Sequence, residues 1–417
     1  MASQKVAKAL SAIEQTAHQP TKLQQYNDLL NEIVSSPTSD ELAQDIVYYL
    51  DSILSEDVSI VATRPLLDSF INVLKNFNSE VKIKVGQHAV SLLQSRATSA
   101  EEQDSQIREI LADAYEAEEE YTAAARALQG INIDSSQRLV SDAAKARLWI
   151  RIVRYYLEED DTTNAETFLN RIKNLPSKIE DPEAKLHFQL SQARILDARR
   201  RFLEAAQEYF SVSLASGVDE NDRLTALSAA IRCAVLAPAG PQRSRFLARV
   251  YKDDRTPTVD EFSILEKMHL DRLLDANEIA AFAEKLAPHQ LAVTADGLTV
   301  WDKAVIEHNL VAVSKLYENI RVDALAEKLG LKDSGDFSAG ERAEGYAARM
   351  MGEGRLKGHL DQIDGIIYFD DEFNTGPNNT SLRQFDRGVQ VICDQVEQIS
   401  TAITERYPDL AKNGMKQ

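Results

Sequence analysis

The sequence predicts a mostly α-helical protein: a right-handed α-solenoid of TPR-like helical repeats, then a winged-helix subdomain, and finally one C-terminal helix of the kind that packs in a bundle. Three observations lead to this fold class. Apolar residues recur at helical spacing along most of the chain, and a pattern with a period of 40–41 residues repeats in its first half. Towards the C-terminus the pattern changes to short helices and strands, and then to a heptad repeat.

The composition limits the kinds of partner and compartment. With 417 residues the chain exceeds what one hydrophobic core covers, so several domains or an extended solenoid are expected. A net charge of −19 disfavours nucleic acid and anionic membranes as partners, because both are bound through basic residues. We expect neither a membrane span nor a signal peptide, since no apolar run is long enough. The chain has only two cysteines, Cys233 and Cys393, which fits a reducing compartment.

Residues 1–105 are interpreted as an N-terminal helical arm. Within the arm, residues 65–77 place apolar side chains on one stripe at helical spacing. The stripe consists of Leu67, Phe70, Ile71, Leu74 and Phe77. Pro65 is expected in the first turn of this helix, where its missing N–H costs nothing.

Residues 106–297 are interpreted as the solenoid, because a pattern of spacings of six, four and three recurs there. Each unit is a helix, a short charged turn and a second helix, whose small alanine lets the two helices approach closely. The three copies are Tyr115, Tyr121, Ala125 and Leu128; Tyr155, Asp161, Ala165 and Phe168; and Leu196, Phe202, Ala206 and Tyr209. Such periods are typical of stacked helix pairs, although two or three unrelated helical hairpins are an alternative. Further helices are expected over residues 222–236, 241–251, 259–274 and 276–287.

Residues 298–370 predict a winged helix made of a helix, a strand, two helices and a hairpin. Thr299 and Asp302 resemble a capping box at the start of the first helix, and Gly330 ends the second. Asp364-Gly365 between two strand-like runs predicts the hairpin. A sheet this small leaves unpaired backbone groups at its edge, which could pair with a neighbouring subunit. The candidate edge residues are Ile366, Ile367, Tyr368 and Phe369, with side chains pointing to alternate faces.

The C-terminal region predicts a single helix with an apolar seam. A polar linker over residues 371–379 precedes the helix at 380–407, and residues 408–417 form a tail. Seven apolar residues alternate spacings of three and four: Leu382, Phe385, Val389, Ile392, Val396, Ile399 and Ile403. This strict heptad seam is typical of a helix that packs against other helices, here of other subunits. The alternative is a helix that folds back on its own solenoid, but the polar linker favours one that projects.

No constellation of catalytic or metal-binding residues is found in the sequence. The seven histidines are all more than four residues apart, which excludes an H-E-x-x-H zinc site. Cys233 and Cys393 both lie in apolar helical segments and are interpreted as small hydrophobic residues. We therefore expect no catalytic residues, no cofactor and no metal.

A winged helix also raises the possibility of DNA binding. Its recognition helix would be residues 343–354, which offer one arginine against two glutamates. Residues 300–375 contain 15 acidic and 9 basic residues and no basic stripe. The sequence therefore disfavours nucleic acid as a partner.

Six stretches of the sequence, together with the helical repeats and the winged helix, carry a resemblance to a known family. They are LAPAGPQRSRFLARVYKDDR (236–255), ILEKMHLDRLL (264–274), APHQLAVTADG (287–297), AVIEHNLVAVSKLYENI (304–320), GRLKGHLDQIDGIIYF (354–369) and, in the repeats, LEEDDTTNAETFLNRI (157–172). With these features the sequence resembles the PCI-domain family, and within it the subunits of the COP9 signalosome. Residues 332–342 and the acidic linker depart from the family pattern.

The resemblance implies a non-catalytic scaffold subunit in a complex that removes a ubiquitin-like modifier from the cullins of cullin–RING ubiquitin ligases. In that family a different, zinc-dependent subunit performs the cleavage. The expected partners are other signalosome subunits, reached through the winged helix and the C-terminal helix, and the cullin–RING substrate, reached through the N-terminal arm. The expected location is the nucleus and cytoplasm. The alternative is the related PCI scaffold subunit of the proteasome lid.

Overall fold

The structure is a computed structural model. It describes residues 4–14, 19–34, 39–55, 60–94, 100–133, 140–175, 181–294, 297–333 and 337–370, and near the C-terminus residues 389–390, 392–393, 395–399 and 401. The chain divides into two compact units between Ala226 and Leu227.

The described part of the first unit is helical. In chain order the helices are α1 (Gln4–Glu14), α2 (Gln19–Val34), α3 (Ser39–Ile53), α4 (Ile60–Leu74), α5 (Ser79–Gln94), α6 (Glu101–Ala117), α7 (Tyr121–Gln129), α8 (Asp142–Glu158), α9 (Thr162–Lys173), α10 (Pro182–Ala198) and α11 (Phe202–Ser213). The following helix, α12 (Glu220–Leu236), crosses the division between the units. One apolar core is formed by α1 to α6 and a second by α6 to α10.

The predicted repeat is confirmed as three helix pairs, α6 with α7, α8 with α9, and α10 with α11. In every pair the alanine of the pattern and the larger residue three positions later are buried. These residues are Ala125 and Leu128, Ala165 and Phe168, and Ala206 and Tyr209. The recurring spacing therefore marks the positions where the second helix of each pair enters the core.

The turns within the three helix pairs share a backbone geometry. Glu119, Asp160 and Arg200 have φ angles of 60°, 56° and 61°, in the left-handed region. The next amide in each turn donates to the carbonyl five residues earlier, as the amide of Glu120 does to Tyr115. This is the hydrogen bond of a Schellman helix end, where glycine is usual. The three turns therefore carry charged side chains at a position that normally has none.

The helix that contains Pro65 begins earlier than predicted. α4 starts at Ile60, so Pro65 lies inside the helix and not in its first turn. An interior proline costs roughly 3 kcal/mol, because it removes one backbone hydrogen bond and crowds the preceding turn. The predicted stripe outweighs this cost, since each large apolar side chain buried stabilises by about 1.5–3 kcal/mol. Its members Leu67, Phe70, Ile71 and Leu74 are buried, and Phe77 is half-buried beyond the helix end.

The second unit continues with α13 (Pro241–Tyr251), a 3₁₀ turn (Thr256–Thr258), α14 (Phe262–His269), α15 (Ala276–Ala283), α16 (Val300–Leu316), β1 (Asn319–Arg321), α17 (Val322–Lys328), α18 (Ala339–Gly352), β2 (Gly358–Asp361) and β3 (Ile366–Phe369). α13 has the predicted bounds, whereas α14 and α15 are shorter than predicted. Asp271, with a φ of 51°, takes the chain out of helical geometry soon after α14.

The elements from α16 to β3 form the predicted winged helix. The Thr299 hydroxyl accepts from the amide of Asp302 at 3.0 Å, and the Thr299 amide donates to the Asp302 carboxylate at 3.2 Å. The predicted capping box is thus confirmed. The predicted helix end at Gly330 is confirmed too, since Gly330 follows α17 and has a φ of 67°. Leu310, Leu325 and Ile367 are fully buried in one core shared by the helices and the hairpin. The mostly helical fold class with repeats and a winged helix is confirmed.

Candidate assembly surfaces

The sheet of the winged helix is antiparallel, with the strand order β1-β3-β2. Ile367 of β3 lies opposite Ile320 on one side and Leu360 on the other. The candidate edge residues Ile366, Ile367, Tyr368 and Phe369 therefore form the central strand, which corrects their predicted position in the sheet. The hairpin pattern could not show that β1, from before α17, would pair with the other side of β3. The predicted alternation of faces is confirmed, because Ile367 and Phe369 are buried while Ile366 and Tyr368 are half-buried.

In the described structure, β1 and β2 are the edge strands, because each pairs with β3 alone. β2 is held closely against β3, since His359 stacks on Tyr368 with ring centroids 4.8 Å apart and planes within 8°. Gly358, with a φ of 154°, approaches so closely that a Cβ there would collide with the carbonyl oxygen of Tyr368. β2 is thus an edge strand that is fixed on one side by β3.

A buried ion pair fixes the segment that leads into β2. Glu307 on α16 is 4% exposed. Its carboxylate accepts from the two Nη atoms of Arg355 at 2.5 and 3.1 Å, and from the amide of Ala239 at 3.2 Å. Burial lowers the pKa of Arg355, but the carboxylates of Glu307 and Glu353 raise it by more, so the guanidinium remains charged. The pair therefore joins α16 to the loop between α18 and β2.

The two residues after Glu307 join α16 to the segment between α14 and α15. His308 Nε2 lies 2.8 Å from the carbonyl oxygen of Arg272, and it must donate because a carbonyl only accepts. Burial lowers the pKa of His308 to about 4, so the ring is neutral at physiological pH. Asn309 Oδ1 accepts from the amide of Leu274 at 3.1 Å. No role was predicted for these residues from the sequence, although a Glu-His-Asn triplet inside an apolar helix was a visible signal.

Arg243 on α13 is a further buried charge in this region. It is 4% exposed, and its Nη1 donates to the carbonyl oxygen of Ala237 at 3.0 Å. Burial lowers the pKa of Arg243 to about 10, an effect that the negative charge of Glu307 opposes. Glu307 thus compensates two arginines, which makes it the central charge of the polar cluster around α16.

The C-terminal helical segment carries an uncovered apolar stripe. Val389, Ile392, Val396 and Ile399 are 42%, 60%, 60% and 59% exposed. The other predicted seam residues, Leu382, Phe385 and Ile403, lie outside the described residues. An exposed apolar stripe of this kind marks a surface that another chain can cover. Its role in assembly stays a prediction.

Histidine, cysteine and carboxylate side chains are the groups that could bind a metal or react. Within the described residues no group of three or more His, Cys, Asp or Glu side chains could hold a metal ion. Cys233 is buried in α12, whereas Cys393 is exposed in the C-terminal segment, although its sequence context resembled that of a core residue. Across the same parts of the chain, every helix is too short or too polar to cross a membrane.

Two family models match the chain. The model described as PSMD12/CSN4, N-terminal, covers residues 5–221, and the PCI domain model covers residues 282–371. The first match includes the confirmed repeats, and the second includes the winged helix.

The proteins that match at nearly full length include three that are each named COP9 signalosome complex subunit 4. The protein from Emericella nidulans is 70% identical over 98% of this chain and 99% of its own length. The protein from Neurospora crassa is 44% identical over 94% of both chains, and the one from Arabidopsis thaliana is 39% identical over 98% of both. The family expected from the resemblance is confirmed: the chain belongs to the COP9 signalosome complex subunit 4 family.

Proposed function

We propose that this chain is a non-catalytic scaffold subunit of the COP9 signalosome, which supports removal of a ubiquitin-like modifier from the cullins of cullin–RING ubiquitin ligases. The observation that carries the proposal is its similarity to signalosome subunits over nearly its whole length. The exposed apolar stripe at Val389, Ile392, Val396 and Ile399 supports a structural role, because it offers apolar area to a neighbouring chain.

In this proposal the subunit contacts its partners at three places. The winged helix meets other PCI subunits through the edge of β2, because unpaired N–H and C=O groups can bind a strand of another chain. The C-terminal helix packs in a bundle with helices of the other subunits. The N-terminal arm, residues 1–105, reaches the cullin–RING substrate, and the complex acts in the nucleus and cytoplasm.

The alternative function is that of the related PCI scaffold subunit of the proteasome lid. The N-terminal family model carries the names of both proteins, so it does not separate them. The full-length relatives favour the signalosome, because those compared above are all named as its subunit 4.

The C-terminal seam provides the test. Replacing Val389, Ile392 and Val396 by aspartate should prevent incorporation into the complex, because each charge would be buried without a partner. Deleting residues 380–417 should have the same effect. The measurement is quantitative mass spectrometry of the subunits that co-purify with the tagged chain, with circular dichroism of the free variant as the check on folding.

A matched control introduces three aspartates outside the seam, at Gln390, Gln398 and Thr401, which are exposed. This variant should assemble like the wild type. Normal assembly of the seam variant would refute the role of the stripe, and unfolding or aggregation of the truncated chain would show that the helix packs on its own chain. Recovery of proteasome lid subunits in place of signalosome subunits would establish the alternative function.

A further inference from the structure

A groove on the first unit lies between α5, α6 and α7 and has a volume of about 620 Å³. Its apolar lining, which forms the floor, comes from all three helices, and polar side chains of α5 and α7 also line the groove. The floor consists of Val90, Leu111, Tyr115, Ala123 and Ala127. Val90 and Ala123 are only half-buried, so apolar area remains open to a ligand at the base of the groove.

Carboxylates from two turns line this groove. Glu119 and Glu120 come from the turn between α6 and α7, and Glu159 comes from the corresponding turn between α8 and α9. In the described structure none of these three carboxylates makes an ion pair or a side-chain hydrogen bond. The two turns also carry Glu118, Asp160 and Asp161, so negative charge accumulates beside the apolar floor.

Two arginines that also line the groove do not cancel this charge. Arg108 is 9% exposed, and its Nε donates to the carboxylate of Asp104 at 2.7 Å, so its charge is matched within the chain. Arg126 is exposed, and its one positive charge is smaller than the summed negative charge of Glu119, Glu120 and Glu159. The groove therefore combines an apolar base with a net negative rim.

We propose that this groove binds a segment of a partner protein in which an apolar side chain is flanked by lysine or arginine. The apolar floor would take the apolar side chain, and the carboxylates of Glu119, Glu120 and Glu159 would pair with the flanking cations. An amphipathic helix with a basic border has this chemistry, whereas an acidic segment would be repelled. The inference rests on the groove alone and not on the function proposed above.

The test uses the full chain and synthetic peptides of defined chemistry, with fluorescence anisotropy as the binding measurement. The probe is a labelled helical peptide of leucine and lysine with its leucines on one face. One comparison peptide has the same composition in scrambled order, and another has glutamate in place of lysine. The probe should bind more tightly than both, because only it presents an apolar stripe together with cations.

Variants then locate the binding. Replacing Glu119, Glu120 and Glu159 by glutamine should weaken binding of the probe about tenfold, from the loss of three partly exposed charge pairs. Ala123→Leu, which fills the base of the groove without changing charge, should also weaken binding. The matched control neutralises three exposed carboxylates outside the groove through Asp28→Asn, Glu32→Gln and Glu109→Gln, and should leave the affinity unchanged.

Three outcomes would overturn the proposal. Equal binding of the scrambled peptide would show that only overall charge matters, and so would equal weakening by the control variant. An unchanged affinity in Ala123→Leu would show that the groove is not the binding site. Circular dichroism of each variant confirms that a lost signal reflects binding and not unfolding.

Discussion

Replacing Glu307 by glutamine should lower the stability of the second unit by about 3 kcal/mol. The substitution keeps the shape of the side chain but removes the charge that compensates Arg355 and the buried Arg243. Removing one partner of a buried ion pair costs about 3–5 kcal/mol, because the other charge stays buried without compensation. We expect the lower end of this range, since glutamine can still accept one hydrogen bond and Glu353 remains 2.6 Å from Arg355.

The two tryptophans of the chain allow this loss to be measured in the second unit alone. Trp301 lies on α16, is 1% exposed and donates from Nε1 to the carbonyl oxygen of Ile279 at 3.1 Å. Trp149 lies on α8, in the first unit. With Trp149 replaced by phenylalanine, tryptophan fluorescence during urea titration therefore follows the environment of α16. For a slope of about 1–3 kcal/mol per molar urea, the midpoint should fall by roughly 1–3 M.

Glu353→Gln is the matched control, because Glu353 also binds Arg355 but its side chain is 49% exposed. Exposed ion pairs contribute about 0–1 kcal/mol, so this variant should shift the midpoint little. If Glu307→Gln shifts the midpoint no more than Glu353→Gln, the buried pair does not stabilise the unit and the reasoning is refuted.

Acidification should destabilise the second unit, because burial lowers the pKa of His308 from 6.5 to about 4 and the unfolded chain therefore binds the proton first as the pH falls. The contribution of neutral His308 to the free energy of unfolding is complete above about pH 6.5 and falls by up to about 3 kcal/mol towards pH 4. His308→Gln keeps a donor for the carbonyl of Arg272, so it should remove that part of the pH dependence in urea titrations. Gly358→Ala should lower the melting temperature of the second unit, because a Cβ would collide with the Tyr368 carbonyl, whereas Gly345→Ala in α18, with open space around it, should not. Arg151→Met should destabilise the first unit by about 1 kcal/mol, measured by Trp149 fluorescence, because Arg151 binds Glu116 of the preceding repeat at 2.9 Å. An unchanged midpoint would show that this ion pair does not stabilise the contact between the two repeats.

The sequence predicted the features that depend on neighbours close in the chain. The spacing between Tyr115, Ala125 and Leu128 describes how one helix pair packs, and such contacts repeat with the period of the chain. The capping box of Thr299 and Asp302 spans only three residues, so its residues alone determine it. Predictions of this kind were confirmed with little change.

Features that depend on distant partners could not be predicted in the same way. The central position of β3 is set by β1, which lies on the far side of two helices in the sequence. Pro65 reads as a helix start, but the helix continues before it because apolar residues such as Phe70 and Leu74 stabilise it through burial. The partners of Glu307 lie at Ala239 and Arg355, too far away for any local pattern to reveal them.

The polar contacts of α16 connect the winged helix to the helices before it within one compact unit. Trp301 donates to the carbonyl of Ile279, His308 donates to the carbonyl of Arg272, and Asn309 accepts from the amide of Leu274. All three backbone partners precede residue 298, where the winged-helix pattern begins. A hydrogen bond that water can replace contributes about 0.5–1.5 kcal/mol net, so separating the chain at 298 would cost roughly 1.5–4.5 kcal/mol from these three contacts alone. The ion pair of Glu307 also anchors the loop before β2, so α16 connects the preceding helices to the segment that leads into this edge strand. All of these residues lie within the compact unit that begins at Leu227.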